Sequence, residues 1–171
     1  MLHTLENIHI ASDCNLIDCR FPIQNVIRPQ NKKFHDFRGY AGRISGGVFK
    51  KGDEVVVLPS GFHSKIKSIV TYNKEIDEAH APMSVTMTLN DDFDISRGDM
   101  IVRENNQPRI LKEIELMVCW LDENPLIEKG KYTVKHTSKE VRGIIKEILY
   151  KIDINTLHRN VEDRKINCND I

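Results

Sequence analysis

Gly47 and Gly52 are spaced as the two glycines of a phosphate-binding loop, G-x-x-x-x-G-K-[ST]. In such a loop the backbone amides and the lysine hold the phosphates while the hydroxyl takes magnesium. Here Asp53 stands where the lysine must be, so a carboxylate would point at phosphate. Asp36-Phe37-Arg38-Gly39 copies the D-x-x-G of a GTPase switch. Asn31-Lys32-Lys33-Phe34 and Asn73-Lys74-Glu75-Ile76 lack the aspartate that would read guanine. None of these stands in the order a GTPase requires, and the stretch is expected not to bind GTP by itself.

The other reactive side chains fail on their spacing. Asp91, Asp92 and Asp94 crowd one loop, but Gly98 is misplaced for a calcium loop begun at Asp92, and its twelfth position is Arg103, a cation. His35 beside Asp36, and Ser60 three before His63, bring no third group to orient a hydrolase triad. Cys14, Cys19, Cys119 and Cys168 show no paired Cys-x-x-Cys spacing, which reads as reduced thiols rather than a zinc site. The seven histidines show no i, i+4 pairing, and Arg97-Gly98-Asp99, though it copies a cell-adhesion tripeptide, reads as an ordinary β-turn. Lys32, Lys33, Lys50, Lys51, Lys65 and Lys67 fit solvated strand faces as well as a basic patch. No catalytic, cofactor-binding or metal-binding residue is expected.

Bulk composition agrees. Lysine plus arginine and aspartate plus glutamate each count 25, leaving no net basic field to draw in nucleic acid. An apolar content of 40% in 171 residues suffices for one ordinary domain or two small ones. No apolar run is long enough for a bilayer, and Met1 to Ile10 lacks a signal-peptide pattern, so a cytoplasmic, membrane-free protein is expected.

The elements around these residues read as strands. Residues 38 to 61, RGYAGRISGGVFKKGDEVVVLPSG, place glycines wherever a curved sheet must bend, and predict two adjacent antiparallel strands tightly joined through Lys50-Lys51-Gly52-Asp53. Phe21 to Ile27 starts the first strand, Phe62 to Tyr72 gives another, and Asn73-Lys74 a turn. Ser84 to Leu89 alternates, with Val85, Met87 and Leu89 on one face that must be buried. Asp91 to Asp99 is a polar loop, Met100 to Val102 the closing strand, and Asn105-Asn106-Gln107-Pro108 a boundary. With no helix of normal length between residues 20 and 108, a closed barrel of six or seven strands is expected.

Beyond residue 109, Ile114, Leu116, Val118 and Trp120 alternate as in a strand, and so do Tyr132, Val134 and His136. Residues 139 to 150 carry apolar residues at helical spacing, but β-branching, Gly143 and the period-two continuation at Tyr150, Ile152 and Ile154 favour a strand. Leu2, Leu5 and Ile8 suggest a short helical remnant at the start, with Ala11 to Cys19 as linker. The fold class expected is all-β: two small antiparallel β-barrels, over residues 20–108 and 109–171, after a 1–19 tail, the second barrel short of its closing strands.

Gly42-Arg43-Ile44-Ser45-Gly46-Gly47-Val48 followed by Lys51-Gly52-Asp53-Glu54-Val55 resembles the second-domain barrel of translational GTPases of the elongation factor Tu type. Phe21-Pro22-Ile23-Gln24, Asp36 to Gly42, Leu58 to Gly61, Asp94-Ile95-Ser96-Arg97-Gly98-Asp99 and Tyr150 to Leu157 are similar to the large, GTP-binding subunit of bacterial sulfate adenylyltransferase. That resemblance implies a preceding GTPase domain and a small adenylyltransferase subunit as partners. It also implies GTP, ATP and magnesium in the parent complex, formation of adenosine 5′-phosphosulfate, and in some members a fused adenylylsulfate kinase. The barrels would then be a platform. Arg38, Gly39, Tyr40, Gly42, Arg43, Gly46, Gly47, Asp94, Arg97 and Asp99 are the expected contact residues, chosen by glycine access and polarity. An open strand edge would favour self-association. The alternative is a translation-factor barrel pair binding tRNA or the ribosome.

Overall fold

A computed structural model describes residues 14–29, 37–72 and 74–171. The helix expected over Met1 to Ile10 lies outside them. Two compact units are present, one running to Arg109 and including Thr137–Lys139, the other made of Ile110–His136 and Glu140–Ile171.

In the first unit the strands are β1 (Arg20–Ile27), β2 (Gly39–Arg43), β3 (Val48–Lys50), β4 (Glu54–Leu58), β5 (Phe62–Thr71), β6 (Lys74–Ile76), β7 (Glu78–His80), β8 (Ser84–Leu89) and β9 (Met100–Arg103). They pair in the order β4-β9-β1-β2-β8-β5, and β5 returns to β4, so six antiparallel strands close into a ring with β6 appended to β5. Closure satisfies every edge of the ring, as the absence of long helices led one to expect. Phe21, Ile23, Tyr40, Phe49, Val55, Val57, Ile69, Met87 and Ile101 fill the inside. Val56, Leu58 and Val102 pack as a separate cluster on another face, with Met100 against them. That division explains why β4 reads as an unbroken apolar run instead of alternating. In β8, Val85, Met87 and Leu89 are buried as their spacing required, and Thr88 is buried too, its hydroxyl 2.7 Å from that of Ser68.

One expectation is corrected here. Residues 38 to 61 are not two strands paired with each other. β2 pairs with β1 and β8, β3 with β7, and β4 with β9 and β5. The chain is turned out of β2 because Ser45 and Gly46 amides fold back onto the Arg20 carbonyl and Gly47 sits at φ +75°. The expected turn does form, with Gly52 at φ +88° and the Asp53 carboxylate accepting from the Lys50 amide at 2.9 Å. Lys74 likewise opens β6 rather than completing a turn.

In the second unit the described ladders are two ribbons, β10 (Lys131–His136) with β11 (Lys139–Ile144) and β12 (Lys151–Ile152) with β13 (Arg159–Asn160). The strand expected over residues 139 to 150 forms as far as Ile144, and no helix replaces it. A Cβ on Gly143 would lie 2.9 Å from Val134 Cγ2, so the glycine that interrupts the helical pattern leaves room for a cross-strand neighbour. The strand expected over Ile114 to Trp120 is absent from every ladder, and Ile114 and Leu116 are 60% and 65% exposed. Alternation marks a strand only when a partner supplies a run of hydrogen bonds, and here the bonds of Trp120 to the Asp170 carbonyl and the Asn169 amide stand at the end of the stretch without building a ladder.

Lys151 ties this unit's last residues down, its Nζ 2.7 Å from Asp170 and 3.6 Å from Asp163. The hydrogen bond from Lys151 holds the Asp170 carboxyl below its usual range, helped by the Asn167 amide, and the same bond raises Lys151. A depressed carboxyl contributes stability above its ordinary value of about 3.9, lost as pH falls through its folded value. A raised lysine contributes below about 10.4, lost as pH rises through its folded value. Trp120, whose amide donates to the Asp170 carbonyl at 2.9 Å, is the sole tryptophan and reports on this region. Its fluorescence is expected to stay level across neutral pH and change only at the acid and alkaline extremes. A transition centred near neutrality would assign the tie to another group.

Candidate functional site

The ten expected contact residues lie in and beside β2 and in the loop that joins β8 to β9. β2 runs between two ends of the barrel, and they divide along it.

At the start of β2, Arg38 Nη1 and the Tyr40 hydroxyl both donate to the Phe93 carbonyl, the latter at 3.3 Å. Arg38 Nε also lies 3.9 Å from Asp92, and Arg28 lies 3.3 Å from Asp94. Burial pushes the Tyr40 hydroxyl up, with Arg38 opposing, so it stays a neutral donor at physiological pH. The Phe93 ring stacks on Phe62 with centroids 4.6 Å apart and planes 9° from parallel. A Cβ on Gly39 would come within 2.9 Å of Thr86 and Phe37 side-chain atoms. This end therefore combines aromatic rings with arginine–aspartate pairs.

The Asp94 to Asp99 segment is wired into β1. Pairing of β1 with β2 shifts between Ile23 and Asn25, leaving Gln24 as a bulge residue. Arg97 donates to the Gln24 carbonyl at 3.1 Å, Gly98 to the Ile23 carbonyl at 3.0 Å, and the Ile23 amide to Asp99 at 2.9 Å. The Asp99 carboxylate accepts from the Ser96 amide at 2.9 Å, so its side chain builds the turn. Gly42 sits opposite the bulge, where a Cβ would collide with the Pro22 carbonyl oxygen.

At the far end of β2, Arg43 donates to the Pro82 carbonyl at 3.1 Å. Cβ atoms on Gly46 and Gly47 would come within 2.5 Å of the Asp18 carbonyl oxygen and Cys19 Cα respectively. The sequence reading missed the polar residues beside them, Asn15, Asp18, Arg20 and Asn106. Asn106 was legible only as boundary punctuation.

The rejected chemistries are occupied by structural bonds. Asp53 accepts from Arg103 at 2.7 Å as well as from Lys50, and Gly47 to Gly52 spans strand β3 and the turn that follows it. Asp91, Asp92 and Asp94 face Ser64, Arg38 and Arg28 respectively, three different partners. Among the described residues no three histidine, cysteine or acidic side chains gather as for a metal ion. Ser60 donates to the Val57 carbonyl while His63 pairs with Glu104 at 3.1 Å, so the two are not joined to each other. Lys50, Lys51 and Lys65 pair with Glu78, Glu75 and Glu54 within 3.0 Å, which neutralises these three, and Lys32 and Lys33 lie outside the described residues. Among the described residues no helix is long and apolar enough to cross a membrane.

Residues 113–171 match the family described as GTP-eEF1A C-terminal domain-like. Over its whole length the chain is 46% identical to a bifunctional enzyme CysN/CysC of Mycobacterium tuberculosis, of which it spans 28%. Over 97% of its length it is 43% identical to sulfate adenylyltransferase subunit 1 of Bacteroides thetaiotaomicron, of which it spans 34%. Among solved structures it resembles sup35 complexed with GMPPNP, with a TM-score of 0.64 at 16% identity over 98% of this chain and 40% of that one. It also resembles the elongation factor SelB of Methanococcus maripaludis, with a TM-score of 0.55 at 20% identity over 86% of this chain and 35% of that one. The structural likenesses establish the fold alone. Identity above 40% along the whole chain goes further: in sequence the chain is similar throughout to sulfate adenylyltransferase subunit 1 and CysN/CysC enzymes, as a stretch about a third as long as those relatives.

Proposed function

We propose that the chain is the non-catalytic barrel portion of a GTP-dependent sulfate adenylyltransferase large subunit. With a small adenylyltransferase subunit in the cytoplasm, that enzyme makes adenosine 5′-phosphosulfate from ATP and sulfate. The observation that carries this reading is the 46% identity along the full chain to a relative more than three times as long. GTP, ATP and magnesium then belong to neighbouring parts of the complex. Residues 1–19 form a connecting tail, 20–108 the first barrel domain and 109–171 the second.

The barrel contributes rigidity: a closed ring holds Arg38, Tyr40 and Asp94 at one end and Arg43, Gly46 and Gly47 at the other, for contact with the GTPase domain and the small subunit. Apolar side chains left exposed in the second unit, Ile114, Leu116 and Leu121 among them, support self-association when those neighbours are absent. Neutral overall charge and paired lysines weigh against the alternative of tRNA or ribosome binding.

The test is to assay the purified chain for GTP hydrolysis and adenosine 5′-phosphosulfate formation, alone and with the small subunit, and to measure binding to that subunit and to tRNA. No turnover by the chain alone, and saturable binding to the small subunit that Arg38→Ala weakens about tenfold, is expected, the size of one lost charge-assisted contact. Unaided turnover, or salt-sensitive tRNA binding without subunit binding, would overturn the reading.

A further inference from the structure

The chain comes into the first barrel at Arg20 and leaves it after Arg103 through a tight turn, Glu104–Asn106. Backbone pairing between the two begins at Arg20 with Val102. Asn15 to Cys19 precede that ladder and are held by side chains and by one backbone bond, from the Gly47 amide to the Asn15 carbonyl.

Asn106 is the centre of the arrangement. Its carbonyl oxygen and its Oδ1 both accept from Arg20 Nη1, each at 2.7 Å, while its Nδ2 donates to Asp18 at 3.1 Å. Arg20 Nη1 also donates to the Cys19 carbonyl at 2.8 Å. The other Asp18 oxygen accepts from Asn15 Nδ2 at 2.7 Å, and Asn15 Oδ1 in turn accepts the amides of Ile17 and Asp18. Beneath lie Gly46 and Gly47, where the Gly47 amide donates to the Asn15 carbonyl at 2.7 Å and the Arg20 amide to the Gly46 carbonyl at 2.9 Å. A carboxamide at position 106 accepts and donates at once. Neither an alanine nor a carboxylate there reproduces both bonds.

We propose that Asp18, Arg20 and Asn106 form a clasp that locks the incoming segment, Asn15–Arg20, to the outgoing turn, Glu104–Asn106, so that polypeptide on the two sides of the barrel is mechanically coupled. The backbone ladder cannot do this, because it starts only at Arg20. The glycines supply the seat, and Asn106 supplies the bolt. Loss of the bolt frees the incoming segment while the ring, held by its own ladders and apolar interior, stays closed. The clasp stands on geometry within the first unit and is independent of the proposed enzymatic role.

Hydrogen exchange of the whole chain tests it, comparing Asn106→Ala, Asn106→Asp, Asp18→Asn and the double change Asp18→Asn with Asn106→Asp. Asn106→Asp sets two carboxylates against each other. It is expected to speed exchange at the Gly47 amide, which reports docking of Asn15, about tenfold, with Val56 and Ile69 unchanged. Asn106→Ala should act in the same direction. Adding Asp18→Asn to Asn106→Asp restores a donor facing an acceptor and should recover most of the protection at Gly47. Unchanged exchange at Gly47 in both single variants at Asn106 overturns the proposal. So does an equal loss of protection through the entire barrel, which would make these bonds part of general stability, and so does failure of the double change to recover protection.

Discussion

Gly47→Ala will cost the first barrel about 3–5 kcal/mol, whereas Gly52→Ala will cost about 1–2 kcal/mol. Both glycines have positive φ, +75° and +88°, so both substitutions incur the left-handed strain of a residue with a Cβ. Space separates them. A Cβ at Gly52 meets nothing within 4 Å, but at Gly47 it would lie 2.5 Å from Cys19 Cα, 2.6 Å from its sulfur and 2.7 Å from its amide nitrogen. Two of those atoms are backbone, and relieving them means shifting the start of β1, which is bonded to Gly46 and to β9. Since small domains have only about 5–15 kcal/mol of stability, the Gly47 variant loses a large share of it. Urea unfolding of both variants followed by circular dichroism is the check. Equal midpoint shifts would show that backbone strain alone sets the cost.

Phe21→Ala is expected to remove about 3–5 kcal/mol, through lost apolar transfer and the cavity left behind. Phe21 is fully buried in β1 and meets Phe49 edge to face at 6.4 Å. The space its ring occupies exists because position 42 is glycine, where a Cβ would already touch the ring at 3.3 Å. Phe62→Ala is the control: 42% exposed and stacked on Phe93, it should cost about 0.5–1.5 kcal/mol. If the two changes proved equally costly in chemical denaturation, the interior assigned to this barrel would be wrong.

What could be read in advance and what could not follows from the range of the interactions. The alternation of Ser84 to Leu89 and the turn at Gly52 depend on neighbours a few residues away, and both were legible. The pairing of β2, β3 and β4 was not, because a glycine-rich stretch shows where the chain bends and says nothing about which distant strand it meets. Ile114 to Trp120 has the alternation of a strand, yet its ladder requires a partner that the pattern does not name. At the proposed contact ends, the types of Arg38 and Tyr40 were visible, but their shared acceptor, the Phe93 carbonyl, belongs to a loop more than fifty residues on. Asn106 was hidden for the same reason: its side chain bonds Arg20 across 86 positions.

The ring also constrains how the protein is made. β1 has β9 as one of its two neighbours, with Arg20 opposite Val102. During synthesis at about 5–20 residues per second, the hoop stays unfinished for several seconds after β1 leaves the ribosome. For that interval Phe21 and Ile23 face solvent or a chaperone, and the nascent chain is most open to capture just before its ninth strand emerges.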